Sequence, residues 1–151
     1  MTISVTYNSV YGDISVKDVL SEWSTGFRTA DHGAAHTGGF NTGGRAMTGE
    51  QYATQGANGS SYAFVAESDT DNGLNYVFNP KLSAGDNMNH FLWGNLDNVQ
   101  LGNYLGGGQG SDFTLGDYTA SFNGLDLSAA SDAGRAGNAV QDVIYGLMKG
   151  D

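Results

Sequence analysis

From Gln51 to Phe122 the chain is a succession of short runs that alternate apolar and polar residues, and Gly, Asn or Asp closes nearly every one. Runs of this length and period are those of strands, and their close spacing favours antiparallel pairing over parallel crossovers. Strands are predicted at 51–55, 62–67, 74–79, 90–96, 99–101 and 113–122. In the third, LNYVFN, side chains two apart share a face, so Leu74, Tyr76 and Phe78 point together, and the single proline of the chain, Pro80, stops the run. In DYTASFNG, Tyr118, Ala120 and Phe122 lie on one side while Thr119, Ser121 and Asn123 lie on the other, so one sheet face is wet.

Helical patterns flank this block. ISVTY (3–7) predicts an opening strand, and Ser15 then starts SVKDVLSEWSTGF with Asp18 three residues on, a capping pair. Val16, Val19, Leu20, Trp23 and Phe27 follow at helical spacing. Near the other end Val140, Val143, Ile144 and Leu147 form a second stripe, which closes at Lys149-Gly150. Between the first helix and the strands, RTADHGAAHTGGFNTGGRAMTGE is too rich in paired glycines for a regular element and reads as a long loop. The expected fold class is α+β, a curved antiparallel sheet with the helices packed on one face.

A length of 151 residues suits a single domain over 1–151, burying roughly two thirds of its unfolded surface. Sixteen acidic against six basic residues give a net charge of −10, with no Lys/Arg cluster to replace phosphate counterions, which argues against nucleic acid and anionic membranes as partners. The absence of cysteine excludes thiolate metal sites, disulfides and Cys nucleophiles together. MTISVTYNSVYG has neither the basic region nor the apolar core of a signal peptide, and no apolar run reaches membrane-spanning length, so export is expected by another route and membrane insertion is not expected.

Three histidines are available, His32, His36 and His90. HGAAH has the i,i+4 spacing of a zinc pair but lacks the acid of the HExxH pattern, and no third ligand is identifiable. GGQGSDFTL (107–115) approaches a calcium-binding Gly/Asp nonapeptide, yet those sites need tandem copies and the next nine residues, GDYTASFNG, do not repeat it; a hairpin loop is the simpler reading. No GxSxG elbow and no phosphate-cradling loop occurs. What remains is a loop histidine, a strand tyrosine and a histidine opening the next strand. Imidazole and phenolate both ligate ferric iron, and a phenol with a pKa of about 10 binds it well at neutral pH only if a neighbour takes or polarises its proton. A neutral imidazole can do so.

These residues sit in segments that, taken jointly, resemble the HasA-type haemophores, secreted bacterial proteins that capture haem and pass it to an outer-membrane receptor. The segments are ISVTYNSVYGDISVKDVLSEWSTGF with FRTADH behind it, GEQYA (49–53), AFVA (63–66), LNYVFN, HFLWGNLD (90–97) and VIYGLMKGD (143–151). The resemblance implies that His32 and Tyr76 are the axial ligands and that His90 supports the tyrosine, with His36 in the same loop as the alternative ligand. It also implies a pocket helix at 143–151 that brings Met148 near the haem. Two departures stand out. KLSAGDNMN is inserted between Pro80 and His90, so a His90–Tyr76 contact requires this insertion to loop outward, and relatives continue past Asp151 through more helical sequence and a C-terminal secretion signal.

The expected function is therefore a non-enzymatic, extracellular carrier of ferric haem b for iron acquisition, with an outer-membrane receptor and host haemoproteins as partners. Tyr52, Phe78, Leu92 and Met148 are candidates for the pocket wall. The competing expectation is a calcium-binding, Gly/Asp-rich structural or interaction module of an exported protein.

Overall fold

The computed structural model describes residues 2–27 and 39–150. β1 (Ser4–Tyr7) leads through a 3-10 turn at Ser9–Tyr11 to α1 (Val16–Phe27), and β2 (Gly39–Phe40), β3 (Thr48–Gly49), β4 (Gln51–Gln55), β5 (Tyr62–Glu67) and β6 (Leu74–Val77) follow. Two long strands, β7 (Phe91–Gly106) and β8 (Thr114–Ala129), precede α2 (Ala139–Lys149). All strand pairs are antiparallel, in the order β1-β8-β7-β5-β4-β2, with β6 branching off β7 and carrying β3 on its other edge. The architecture is the expected α+β, an open antiparallel sheet with two helices.

Each helix begins and ends for a local reason. The Ser15 hydroxyl accepts from the Asp18 amide at 3.1 Å and donates to the Asp18 carboxylate at 2.7 Å, closing the first turn of α1. Asn138 caps α2 by accepting from the Gln141 amide at 2.9 Å, and Gly150, at φ 74°, ends it in the left-handed conformation. Both helices then bury one stripe against the same sheet face. Trp23 and Phe27 stack at 4.5 Å and meet Phe64 of β5, while Val140, Ile144 and Met148 join Leu74, Leu92 and Leu96 in the same cluster. The Trp23 indole donates to the Ala63 carbonyl at 3.0 Å, fixing α1 over β5, and the Ser24 hydroxyl donates to the Gly150 carbonyl, linking the two helices. Val16 and Leu20, counted in the apolar stripe of α1, are exposed on its outer flank.

The structure merges two of the expected strands. Asp97 and Asn98, which read as a break between 90–96 and 99–101, form an irregularity within β7: Leu96 pairs with Leu127 but Asn98 pairs with Asn123, so the register shifts and the strand continues. β8 likewise runs beyond Phe122 to Ala129 because β7 still offers it a partner. Gly94 permits the branch to β6. Its φ is 116°, and a Cβ there would lie 1.9 Å from the Gly73 carbonyl oxygen. The segment 107–113 joins β7 to β8 as the hairpin connection expected of it.

The core makes a stability prediction. Phe64→Ala removes a fully buried ring that packs against both Trp23 and Phe27 and should cost about 3–5 kcal/mol in urea unfolding, whereas Val10→Ser, at a position 84% exposed, should change stability by less than about 0.5 kcal/mol.

Candidate functional site

β6 sets Tyr76 between two neighbouring strand segments. Its amide donates to the Met47 carbonyl at 2.8 Å on one side, and on the other it pairs with Leu92 in the β7 ladder. The side chain is half-buried at the margin of the core. Across the hairpin, the Tyr76 hydroxyl and His90 Nδ1 are 2.5 Å apart, a short hydrogen bond. An Nε2–H imidazole accepts the phenol proton in this geometry and leaves Nε2 to donate elsewhere. Burial raises the Tyr76 phenol above its ordinary pKa, and the Arg135 guanidinium opposes that shift.

The segment 81–89 loops outward, and two asparagines order it. Asn89 fills its interior with a side chain only 1% exposed. The Asn87 side-chain oxygen accepts from the Arg135 and Ala136 amides at 3.1 and 2.8 Å, and Arg135 donates to the Ala84 carbonyl at 3.2 Å. The loop is thereby docked on the connection between β8 and α2. That connection reaches back to the strand opposite Tyr76. Asn138 donates to the Leu92 carbonyl and Gln141 accepts from the Leu92 amide, both at 2.8 Å, so the first turn of α2 grips the peptide groups of the residue facing the tyrosine.

The other residues singled out in the sequence are distributed unevenly. Tyr52, Leu92 and Met148 are buried in one cluster with Tyr76 at its edge, and the Tyr52 hydroxyl donates to the Met148 sulfur at 3.6 Å. Desolvation pushes the Tyr52 phenol up to about 12. Phe78 is 51% exposed with its ring 5.1 Å from that of His90, so it presents an apolar surface beside the Tyr76–His90 pair instead of lining the interior. His32 and His36 lie outside the described residues. Asn87, Asn89, Arg135 and Asn138 were not anticipated. Only Asn138 had a local signal, an asparagine immediately before an apolar helical stripe.

Among the described residues no three His, Cys, Asp or Glu side chains gather in a metal-holding group. One phenol oxygen backed by one imidazole is too small a donor set for a bare ion, but it fits a metal that arrives with most of its ligands already in place, as a porphyrin iron does. An exposed aromatic ring beside the oxygen suits a flat apolar ligand as well.

Comparison with known proteins agrees with this geometry. The structure is similar to apo and holo forms of the hemophore HasA from Yersinia pestis, each with a TM-score of 0.75, at 31% and 29% identity, matching 99% of this chain and 83% of theirs. The sequence is 35% identical over 157 residues to Hemophore HasA of Serratia marcescens, spanning 100% of this chain and 76% of that relative. The fold is thus that of the haemophore class. The family model described as Heme-binding protein A (HasA) matches residues 1–151, and the chain belongs to the HasA family.

The buried Tyr52 phenol gives a pH prediction. Its folded pKa, about 12, lies above the unfolded value near 10, so its contribution to stability is complete below pH 10 and is lost as pH rises from about 10 to 12. Unfolding free energies from denaturant titrations across this range should fall steeply for the wild type, by about 1.4 kcal/mol per pH unit from this group, and less steeply for Tyr52→Phe.

Proposed function

We propose that the chain is an extracellular carrier that holds ferric haem b between Tyr76 on one face and His32 on the other, with His36 as the alternative to His32. The short hydrogen bond between Tyr76 and His90 is the observation that carries this reading. A phenol becomes a strong ligand for Fe(III) when its proton is drawn away, and His90 Nδ1 is placed to draw it. Membership of the HasA family supports the ligand class, and the similarity to a holo hemophore supports the fold in which the ligand is held.

Each residue then has a limited task. Tyr76 supplies the oxygen, and His90 holds its proton at Nδ1 without approaching the ligand itself. Phe78 offers a ring against one edge, while Tyr52, Leu92 and Met148 pack the wall behind Tyr76 and keep water from its inner side. Tyr76 and the loop histidine would hold the haem, which would bring the iron with its porphyrin nitrogens, and two protein ligands on that iron would suit transport over turnover. Delivery to an outer-membrane receptor requires one of the two ligands to be loosened. Host haemoproteins are the proposed source of the haem.

Titration of apo-protein with ferric haem tests this. A sharp Soret band should saturate at one haem per chain, and Tyr76→Phe should weaken binding about 10- to 100-fold, the loss of a strong charge-assisted contact. His32→Ala and His36→Ala measured side by side identify the loop ligand, since only one should alter the spectrum. Absence of a saturable band, or a spectrum indifferent to Tyr76→Phe, rejects the carrier reading.

A further inference from the structure

We infer that Asn89 is a positioning residue that sets the His90 imidazole against Tyr76; the inference rests on the reading of Tyr76 as the haem-ligating oxygen. β6 ends at Val77 and β7 starts at Phe91, so a long loop separates the tyrosine from its partner. The ends of a long, polar loop are not brought together by chain connectivity, and closing them costs entropy that some contact must offset. Asn89 makes that contact. Its Oδ1 accepts from the Asn79 amide at 2.8 Å and from the His90 amide at 3.1 Å, joining the two ends of the loop where the next rung of the β6–β7 ladder would fall. Its Nδ2 donates to the Leu82 and Ser83 carbonyls at 3.2 and 3.1 Å, so both donors and both lone pairs of the buried amide are used.

The consequence falls on His90. Its φ is 55°, in the left-handed region, which is uncommon for a residue other than glycine although histidine enters it more readily than most. The hydrogen bond that fixes the His90 amide is the one it donates to Asn89 Oδ1, and this backbone conformation is what presents Nδ1 to the phenol. Without Asn89 the residue is free to relax to extended backbone, which turns the ring off the hydroxyl. Asn87 restrains the same loop from outside, through Arg135 and Ala136, but touches neither His90 nor Asn79, so it provides a control in which loop anchoring is weakened elsewhere.

Nitrogen-15 NMR of the apo-protein reads the placement without haem. In the wild type His90 should show the Nε2–H tautomer with Nδ1 as an acceptor. Asn89→Ala should give the mixed tautomers of a free imidazole, and Asn87→Ala should keep the wild-type signature. Asn89→Asp retains the acceptor shared by the two loop-end amides and should also keep the signature, which serves if the alanine variant fails to fold. In the haem-loaded protein, release to excess apomyoglobin should quicken about fivefold in Asn89→Ala, as in His90→Ala, and no further in the double variant. A wild-type His90 signature in Asn89→Ala, or its loss in both Asn87→Ala and Asn89→Asp, overturns the inference. Failure of the wild type to take up haem instead overturns the carrier reading, while the apo spectra still decide whether Asn89 places His90.

Discussion

The whole arrangement depends on β7 being shared by three partners. Its first residues, Phe91–Gly94, pair with β6, its later residues, Asn98–Asn103, pair with β5, and β8 runs along nearly all of it. A strand so used cannot be displaced locally without loss on several sides, and it fixes the level at which Tyr76 stands, opposite Leu92. The two requirements that β7 places on its sequence are met by glycine. Gly94 lets β6 approach where a side chain would strike the Gly73 carbonyl, and at Gly102, beside the second register shift, a Cβ would fall 2.3 Å from the Asp117 carbonyl.

From β7 the order passes outward by polar contacts instead of apolar ones. Asn138 and Gln141 bind the Leu92 peptide, Asn87 and Arg135 tie the inserted loop to the segment before α2, and Asn89 closes that loop on itself. Buried amides of this kind are costly when half-satisfied and rigid when fully satisfied, so they specify one arrangement where an apolar contact would allow several. The Tyr76–His90 pair sits between the two regimes. Its inner side is set by the core and its outer side by this network.

The sequence made the elements legible wherever periodicity or a cap governed them. The Ser15–Asp18 pair, the stripe Val19, Trp23, Phe27 and the alternation of LNYV each correspond to what formed, while the strand expected to run to Asn79 ends at Val77. Polarity alone misled at Asp97-Asn98, because a register irregularity and a turn have the same composition, and only the continued partnership of β8 distinguishes them. At the site, periodicity could put Tyr76 on a strand face, but its role and that of His90 came from resemblance. Whether the two could meet across KLSAGDNMN turned on two side-chain amides that bind backbone groups, Asn89 within the loop and Asn87 on the segment before α2, and irregular side-chain-to-backbone contacts of this kind follow no periodic spacing in the sequence.

The electrostatics of Tyr76 follow from the same placement. Partial burial penalises the phenolate, so with nothing bound the oxygen keeps its proton, and the proton is shared with His90 without any formal charge in the core. The Arg135 charge works against that penalty, and it reaches Tyr76 because the loop holds the guanidinium against the Ala84 carbonyl. A neutral phenol–imidazole pair attracts a hydrated cation weakly, since neither member can neutralise it before losing a proton. On the proposed reading, a flat apolar ligand carrying a Lewis-acidic centre would be held by burial of its ring beside Phe78 and by the Tyr76 oxygen, whose proton His90 Nδ1 is already placed to accept. Selectivity would then come from requiring both at once, with the loop 81–89 fixing the acceptor beforehand.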